Sequence, residues 1–278
     1  KRVLKRALER AGVQPEDVDY ILAGDLLNQC ISSTFGLLDF GIPFLGQYGA
    51  CSTMAQTLLL ASILVESGAA EKALAVTSSH FCSAERQFRT PLSYGAVRTP
   101  TAQWTATAAG AAVISRADSK AKIDKVIIGR ICDYGVKDAN NMGAAMAPAA
   151  AATIADFLND TATKPEDYDM ILTGDLGAIG SELLCELMIK QSNIDIGAVH
   201  ADCGLMIYDP RRQKDTEAGA SGCGCSASVI CSEILNKISG GELKRVLFVG
   251  TGALMSSVSS LQSESIPSIA HGVLLRSE

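Results

Sequence analysis

One cysteine stands out by its setting. Cys51 lies in Gly49-Ala50-Cys51-Ser52, where small residues lead into an apolar run that ends at Val65. A thiol at the start of a buried helix faces backbone N–H groups and the positive end of the helix dipole, and both stabilise a thiolate. Small neighbours leave room for a ligand. The same residue also reads as a plain buried cysteine, a common occupant of cores. Nucleophilic use of the thiol needs a base and an oxyanion hole. The chain has three histidines. His80 follows a strand-like run in Thr77-Ser78-Ser79-His80, and His271 sits in Ile269-Ala270-His271-Gly272. Strand ends are where α/β folds build sites, so both are candidates for the Cys51 pocket. His200, in Val199-His200-Ala201-Asp202-Cys203, reads as a surface or packing residue.

Arg86, Arg89 and Arg98 follow His80, with Phe88, Tyr94 and Trp104 close by. A guanidinium grips a planar carboxylate through a fork of hydrogen bonds, and aromatic rings wall a flat ligand. The cluster therefore has the chemistry to clamp an aromatic acid, although a solvated loop is the plainer reading of any one arginine. His200, Cys203, Cys223 and Cys225 could together supply four zinc ligands. Their spacing matches no familiar zinc pattern, so no bound metal is expected.

These residues must be positioned by a scaffold, and the chain repeats itself. The run from Gln14 to Leu26 returns from Lys164 to Leu176, an offset of 150. Pro15-Glu16-Asp17 answers to Pro165-Glu166-Asp167, and Ile21-Leu22-Ala23-Gly24-Asp25-Leu26 to Ile171-Leu172-Thr173-Gly174-Asp175-Leu176. Pro-Glu-Asp is a turn signal, and each apolar run before Gly-Asp predicts a buried strand. Gly49 to Ser52 and Gly222-Cys223-Gly224-Cys225-Ser226 each open an apolar helix. Gly68 and Gly240-Gly241 end those helices, and strands follow at Ala73–Thr77 and Val246–Val249. Trp104–Ile114 and Ile266–Leu275 close the two copies with β-rich runs. Ser115 to Lys120 is the seam, which predicts units over 1–119 and 120–278. Strands alternating with helices imply layered α/β packing. Ile123–Ile131 predicts a first strand for the second copy with no counterpart in the first, so a strand-bearing segment is expected to precede Lys1.

Bulk composition fits this reading. Apolar residues are 47% and charged residues 19%, a globular balance. The net charge of -6 argues against a nucleic-acid binder. Nine scattered cysteines, an odd number, read as reduced thiols and not as a disulfide framework. No apolar run is long enough to cross a bilayer, and Lys1 to Arg10 does not read as a signal peptide.

The duplicated unit with a cysteine at a strand-to-helix turn resembles the thiolase-like superfamily, which includes thiolases and ketoacyl synthases. That resemblance implies a five-layer αβαβα fold with pseudo-two-fold symmetry and, by analogy, a homodimer. Those enzymes pair the cysteine with His/Cys, His/Asn or His/His. Gly219-Ala220-Ser221-Gly222 resembles the segment after the thiolase Gly-His-Pro, which puts Thr216 at the histidine position. Ser268-Ile269-Ala270-His271-Gly272 resembles the last thiolase motif, with Ser268 at its cysteine. The ketoacyl-synthase His-Gln-Ala-Asn segment falls on Gly174-Asp175-Leu176-Gly177. Cys51 survives on each alignment and its partners do not.

Several longer stretches resemble the stage V sporulation protein AD family of spore-forming bacteria. They include Leu22 to Gln29, Ala84 to Arg89, Pro100 to Thr105, Cys203 to Pro210 and Gly222 to Ser226. The resemblance implies a non-enzymatic protein that binds dipicolinic acid (pyridine-2,6-dicarboxylic acid), free or as its calcium chelate, during uptake into the developing spore. It also implies membrane partners of the same assembly and a peripheral place on the spore inner membrane. The expected ligand site joins Cys51, His80, Ser268 and His271, with Arg86 and Arg89 from the following loop and Asp175 as an oxygen donor should calcium accompany the ligand. Two other expectations stand beside it. One is an acyl-transfer or condensing enzyme with Cys51 as nucleophile and His80 or His271 as base. The other is a structural subunit with an empty pocket.

Overall fold

The computed structural model describes residues 1–88, 98–209, 212–213, 216 and 218–278. The first half runs α1 (Arg2–Ala11), β1 (Tyr20–Gly24), α2 (Ile31–Leu37), β2 (Phe44–Gly46), α3 (Thr53–Glu66), β3 (Lys72–Ser79), α4 (Phe81–Phe88), β4 (Trp104–Thr105) and β5 (Ala108–Ser115). The second runs β6 (Ala121–Ile127), α5 (Met142–Thr161), β7 (Met170–Thr173), α6 (Gly177–Ser192), β8 (His200–Asp202), α7 (Cys203–Ile207), β9 (Ala220–Ser221), α8 (Cys223–Val229), a π-helical turn, α9 (Leu235–Ser239), β10 (Arg245–Ala253), α10 (Ser257–Leu261) and β11 (Ser268–Ser277).

Local sequence explains the elements that carry the layers. Leu4 and Leu8 of α1, four residues apart, are buried, and Gly12 at φ 63° ends the helix in the left-handed conformation that glycine adopts without strain. Along β1, Ile21 and Ala23 face a cluster with Leu4, Leu8 and Leu37 of α1 and α2, while Leu22 faces Ala61 and Val65 of α3. Along β10, Leu247 and Val249 face α5 and α6, while Val246 and Phe248 face the central helices. A period of two with both faces apolar marks strands covered on both sides.

The sheets have the orders β2-β1-β3-β5 and β6-β11-β10-β7-β8. In each, β5 or β11 runs antiparallel to its neighbour, and the β1–β2, β1–β3, β7–β8 and β7–β10 pairs are parallel. The second sheet's added strand is β6, paired antiparallel with β11. It is the strand for which the first copy offers no counterpart. α3 packs with α8 and α9 between the sheets, α1 and α2 cover one outer face, and α5 and α6 cover the other. The result is five αβαβα layers. Each central helix presses on the other half's sheet. A Cβ on Gly110 of β5 would lie 2.3 Å from the Ala227 carbonyl oxygen of α8, and one on Gly250 of β10 would lie 2.6 Å from the Ala55 Cβ of α3. The repeat at Pro-Glu-Asp holds in three dimensions: both tripeptides form a single 3-10 turn before β1 and β7. β2, β8 and the helices before them go unread in sequence, because they are short or lack a clean apolar period.

Candidate functional site

The helix expected to open at Cys51 begins at Thr53, so Cys51 lies in a tight turn just ahead of α3. Ala50 takes φ 50°, unusual for a residue with a Cβ and a form of strain that clusters at functional sites. Short bonds hold the turn. The Thr53 hydroxyl donates to the Ala50 carbonyl at 2.6 Å, and the Ser52 hydroxyl donates to the Gly49 carbonyl at 2.7 Å. The Cys51 side chain is buried, and its Sγ lies 3.9 Å from Ser221 Oγ.

The Asp175 carboxyl lies near enough for its charge to act on the thiol. Asp175 is fully buried at the end of β7. Its Oδ1 accepts from the Thr251 hydroxyl at 2.9 Å and its Oδ2 from the Gly222 backbone N–H at 2.7 Å. Burial pushes its carboxyl up to about 7, against the opposing pull of these hydrogen bonds. Burial, followed by the Asp175 charge, pushes the Cys51 thiol well above the usual range for cysteine. A reactive cysteine needs a cationic neighbour or a neutral base, and this one has an acid.

Cys51 opens on a small, mainly apolar cavity of about 30 Å³. Leu26, Tyr48, Phe88, Met142 and Met255 supply its apolar walls, and Thr105, Ser221 and Glu85 its polar ones. The Glu85 carboxylate, buried on α4, accepts from the Thr105 hydroxyl at 2.9 Å and pairs with Arg98 at 3.0 Å. Arg98 also donates to the Gln103 carbonyl at 2.8 Å and lies over the Trp104 ring at 4.1 Å, with Trp104 stacked on Phe81. Tyr48 is 41% exposed, and partial desolvation at the cavity still pushes its phenol up to about 12.

Of the residues singled out in sequence, the structure brings Cys51 and Asp175 together and separates the others. His80 is exposed, bonds through Nδ1 to Ser83 Oγ at 3.3 Å, and faces an open groove lined by Arg2, Lys5 and Arg6 of α1. His271 accepts from the Gly129 N–H through Nδ1 at 3.2 Å, on the side of β11 toward β6. Ser268 is buried, and its hydroxyl donates to the Cys132 carbonyl at 3.2 Å. It pairs with Ala253, which lines the cavity, so it stands one strand back. Arg86 is exposed on α4, and Arg89 lies outside the described residues. His200 bonds to the Thr173 hydroxyl at 3.0 Å, and burial pushes its imidazole down to about 4. All nine cysteines are free thiols. Among the described residues, no three His, Cys, Asp or Glu side chains gather as a metal-binding group.

Sequence reasoning missed Glu85, Thr105 and Ser221, and ranked Arg98 behind its neighbours. Glu85 gives no sign of burial in Ala84-Glu85-Arg86. Only the fold shows that α4 turns that side chain inward and leaves Arg86 outside.

The chain covers 98% of itself and 81% of a 3-oxoacyl-[acyl-carrier-protein] synthase III from Aquifex aeolicus at TM-score 0.60 and 16% identity. It covers 99% of itself and 84% of the tetronic acid condensing enzyme AbyA1 at TM-score 0.63 and 18% identity. These likenesses show the thiolase-like fold. In sequence, the chain is 46% identical over 268 residues to stage V sporulation protein AD of Bacillus subtilis (strain 168), an alignment spanning 96% of the chain and 78% of that relative. The profile of the stage V sporulation protein AD family matches residues 1–276. A match of that extent, on a thiolase-like fold that keeps the cysteine turn, places the chain in the stage V sporulation protein AD family.

Proposed function

We propose that this chain is a non-enzymatic binding protein that holds dipicolinic acid, free or as its calcium chelate, at the Cys51 cavity for uptake into the developing spore. One observation carries the reading: the cavity keeps the cysteine of a condensing enzyme and has no histidine among its described lining residues, while burial and the Asp175 charge push the thiol up. Without a proton acceptor that can leave the thiolate reactive, the cavity is suited to binding. Its walls fit a flat ring. Thr105, Ser221 and the Arg98 guanidinium behind Glu85 are the groups available to carboxylates, through charge-assisted bonds worth roughly 1.5–3 kcal/mol each. If calcium accompanies the ligand, Glu85 is better placed than Asp175 as an oxygen donor, because Glu85 lines the cavity and Asp175 does not. At its present size the cavity admits only a water-scale occupant. Dipicolinate therefore requires displacement of wall side chains such as Tyr48, Phe88 or Met255.

The folds of the two condensing enzymes support a second reading, acyl transfer through Cys51. Calorimetry with dipicolinate, with and without calcium, beside an acyl-CoA turnover assay, separates the two. We expect saturable dipicolinate binding that Cys51→Trp abolishes in a folded protein, and no turnover. Wild-type binding by Cys51→Trp would move the site elsewhere, and turnover with an acylated Cys51 would establish the enzyme.

Partners follow from the surface. Ile31, Phe35 and Leu38 are exposed at helical spacing (42%, 72% and 69%), beside exposed Phe44 and Leu45 on the edge strand β2 and Tyr48 at the cavity. Together they expose on the order of 600 Å² of largely apolar surface, near the ~800 Å² per partner of a standard interface. A second copy of the chain, with β2 edges meeting across a two-fold axis, would cover this face and the Tyr48 side of the cavity. Light scattering on wild type and Phe35→Asp tests it, with a wild-type monomer at all concentrations as the contrary result. No described helix is long and apolar enough to cross a membrane, so the proposed place on the spore inner membrane is peripheral and held by other members of the assembly.

A further inference from the structure

Charge is unevenly spread over the chain. Residues 1–11 hold five cations and one acid, a net +4, so the rest of the chain carries -10 against the overall -6. All six of these charged side chains are exposed. Leu4 and Leu8 are the buried side of α1. Arg2, Arg6 and Arg10, each four residues apart, form a row on the other side, with Lys5 on its flank. Lys1 pairs with Asp39, and Arg6 pairs with Glu9 at 3.4 Å, exposed pairs of the weak kind. Arg2, Lys5 and Arg10 pair with no acid among the described residues. Beside the row runs the open groove of about 850 Å³, lined by Arg2, Lys5 and Arg6 and by the hydroxyl-bearing Ser32, Ser83 and Thr107. Its two acids are already engaged. Glu9 meets Arg6, and Asp25 accepts from the Leu27 N–H at 2.8 Å and from the Ser33 N–H and hydroxyl at 2.7 Å each.

We propose that α1 and this groove form a docking face for the phosphate headgroups of an anionic membrane. Guanidinium and ammonium groups hold phosphate oxygens through charge-assisted hydrogen bonds, and the groove adds hydroxyl donors. The cations are spread along a helix of ten residues, about 15 Å. One small phosphate touches only part of such a row, whereas a lipid surface repeats its charge and meets all of it. The rest of the chain is repelled by the same surface, so the uneven charge also orients the molecule with α1 toward the membrane. This contact is independent of what the Cys51 cavity holds, and it gives the proposed peripheral placement a lipid contact of its own.

The test is co-sedimentation of the purified chain with vesicles of equal parts phosphatidylglycerol and phosphatidylcholine, beside vesicles of phosphatidylcholine alone. The chain should bind the first and not the second, and binding should fall steeply between about 50 mM and about 300 mM salt. Each cation removed should weaken binding about fivefold, so the triple variant Arg2→Gln, Lys5→Gln, Arg10→Gln should lose roughly a hundredfold. Lys122→Gln, Lys125→Gln, Lys190→Gln removes as many charges from exposed positions on β6 and α6 and should bind as wild type does. Glycerol phosphate, added at the concentration of the lipid phosphate, should not release the protein. Three results would each overturn the proposal: equal binding to both kinds of vesicle or to neither, equal losses in the two triple variants, or release by glycerol phosphate, which would assign the groove to a free phosphate.

Discussion

The edge strands β2 and β8 occupy the same place in their sheets and do opposite work. β2 is Phe44-Leu45-Gly46, exposed throughout. β8 is His200-Ala201-Asp202, and its last residue is buried among four hydrogen-bond donors. One edge turns apolar side chains outward and has little to do with the site. The other turns a carboxylate inward and fixes the turn that carries Asp175. At one register position the edges differ, glycine in β2 against aspartate in β8, and only β8 supports the turn that follows β7.

The largest expected effect breaks the second edge. Asp202→Ala strips the partners of three backbone N–H groups, and each unpaired buried donor costs about 1–3 kcal/mol. A loss of roughly 3–6 kcal/mol should appear in urea unfolding. Gly46→Ala at the equivalent position should cost less than about 0.5 kcal/mol, since that residue is exposed and an added Cβ meets Phe44 at an ordinary 3.4 Å. Equal costs at the two positions would erase the distinction between the edges.

A second effect reads the buried acid through pH. The folded-state pKa of Asp175 is raised from 3.8 to about 7, so the folded state binds this proton more tightly than the unfolded one. The contribution to stability is then most favourable below the unfolded value, falls as pH rises through the window between the two, and is constant above it. Asp175→Asn should flatten this decline and exceed wild type by roughly 2–4 kcal/mol above pH 7.5. His200 runs in the opposite sense. Its folded pKa is depressed to about 4, so its stability is lost as pH falls from about 6.5. The difference between wild type and variant cancels it. A parallel pair of pH curves would show that Asp175 titrates normally.

Sequence made much of this legible where the signal was local. The repeated Pro-Glu-Asp and apolar-Gly-Asp runs marked the turns before β1 and β7 and those two strands, and Gly49 to Ser52 marked the cysteine turn. The side chains around the cysteine were harder to read, because their roles depend on registers between distant strands. His80 and His271 follow strands, as pocket residues often do, yet one faces the α1 groove and the other faces Gly129. Asp175 was legible only as an alignment position. That it reaches Gly222 and Thr251 while Asp25 serves its own loop follows from Gly46 and Asp202, two residues no local pattern marks.

The smallest effect tests which term raises Asp175. Cys51→Ser keeps a hydrogen-bond donor to the carboxyl, shortens the side chain slightly, and leaves the apolar burial of the turn in place. Stability at pH 5 should change by no more than about 1 kcal/mol. The pH window should survive, because burial is the leading cause of the raised carboxyl and the thiol bond only opposes it. A serine hydroxyl donates more strongly than a thiol, so the midpoint of the decline should move slightly downward. If the window vanished in Cys51→Ser, the thiol and not desolvation would be holding the acid neutral.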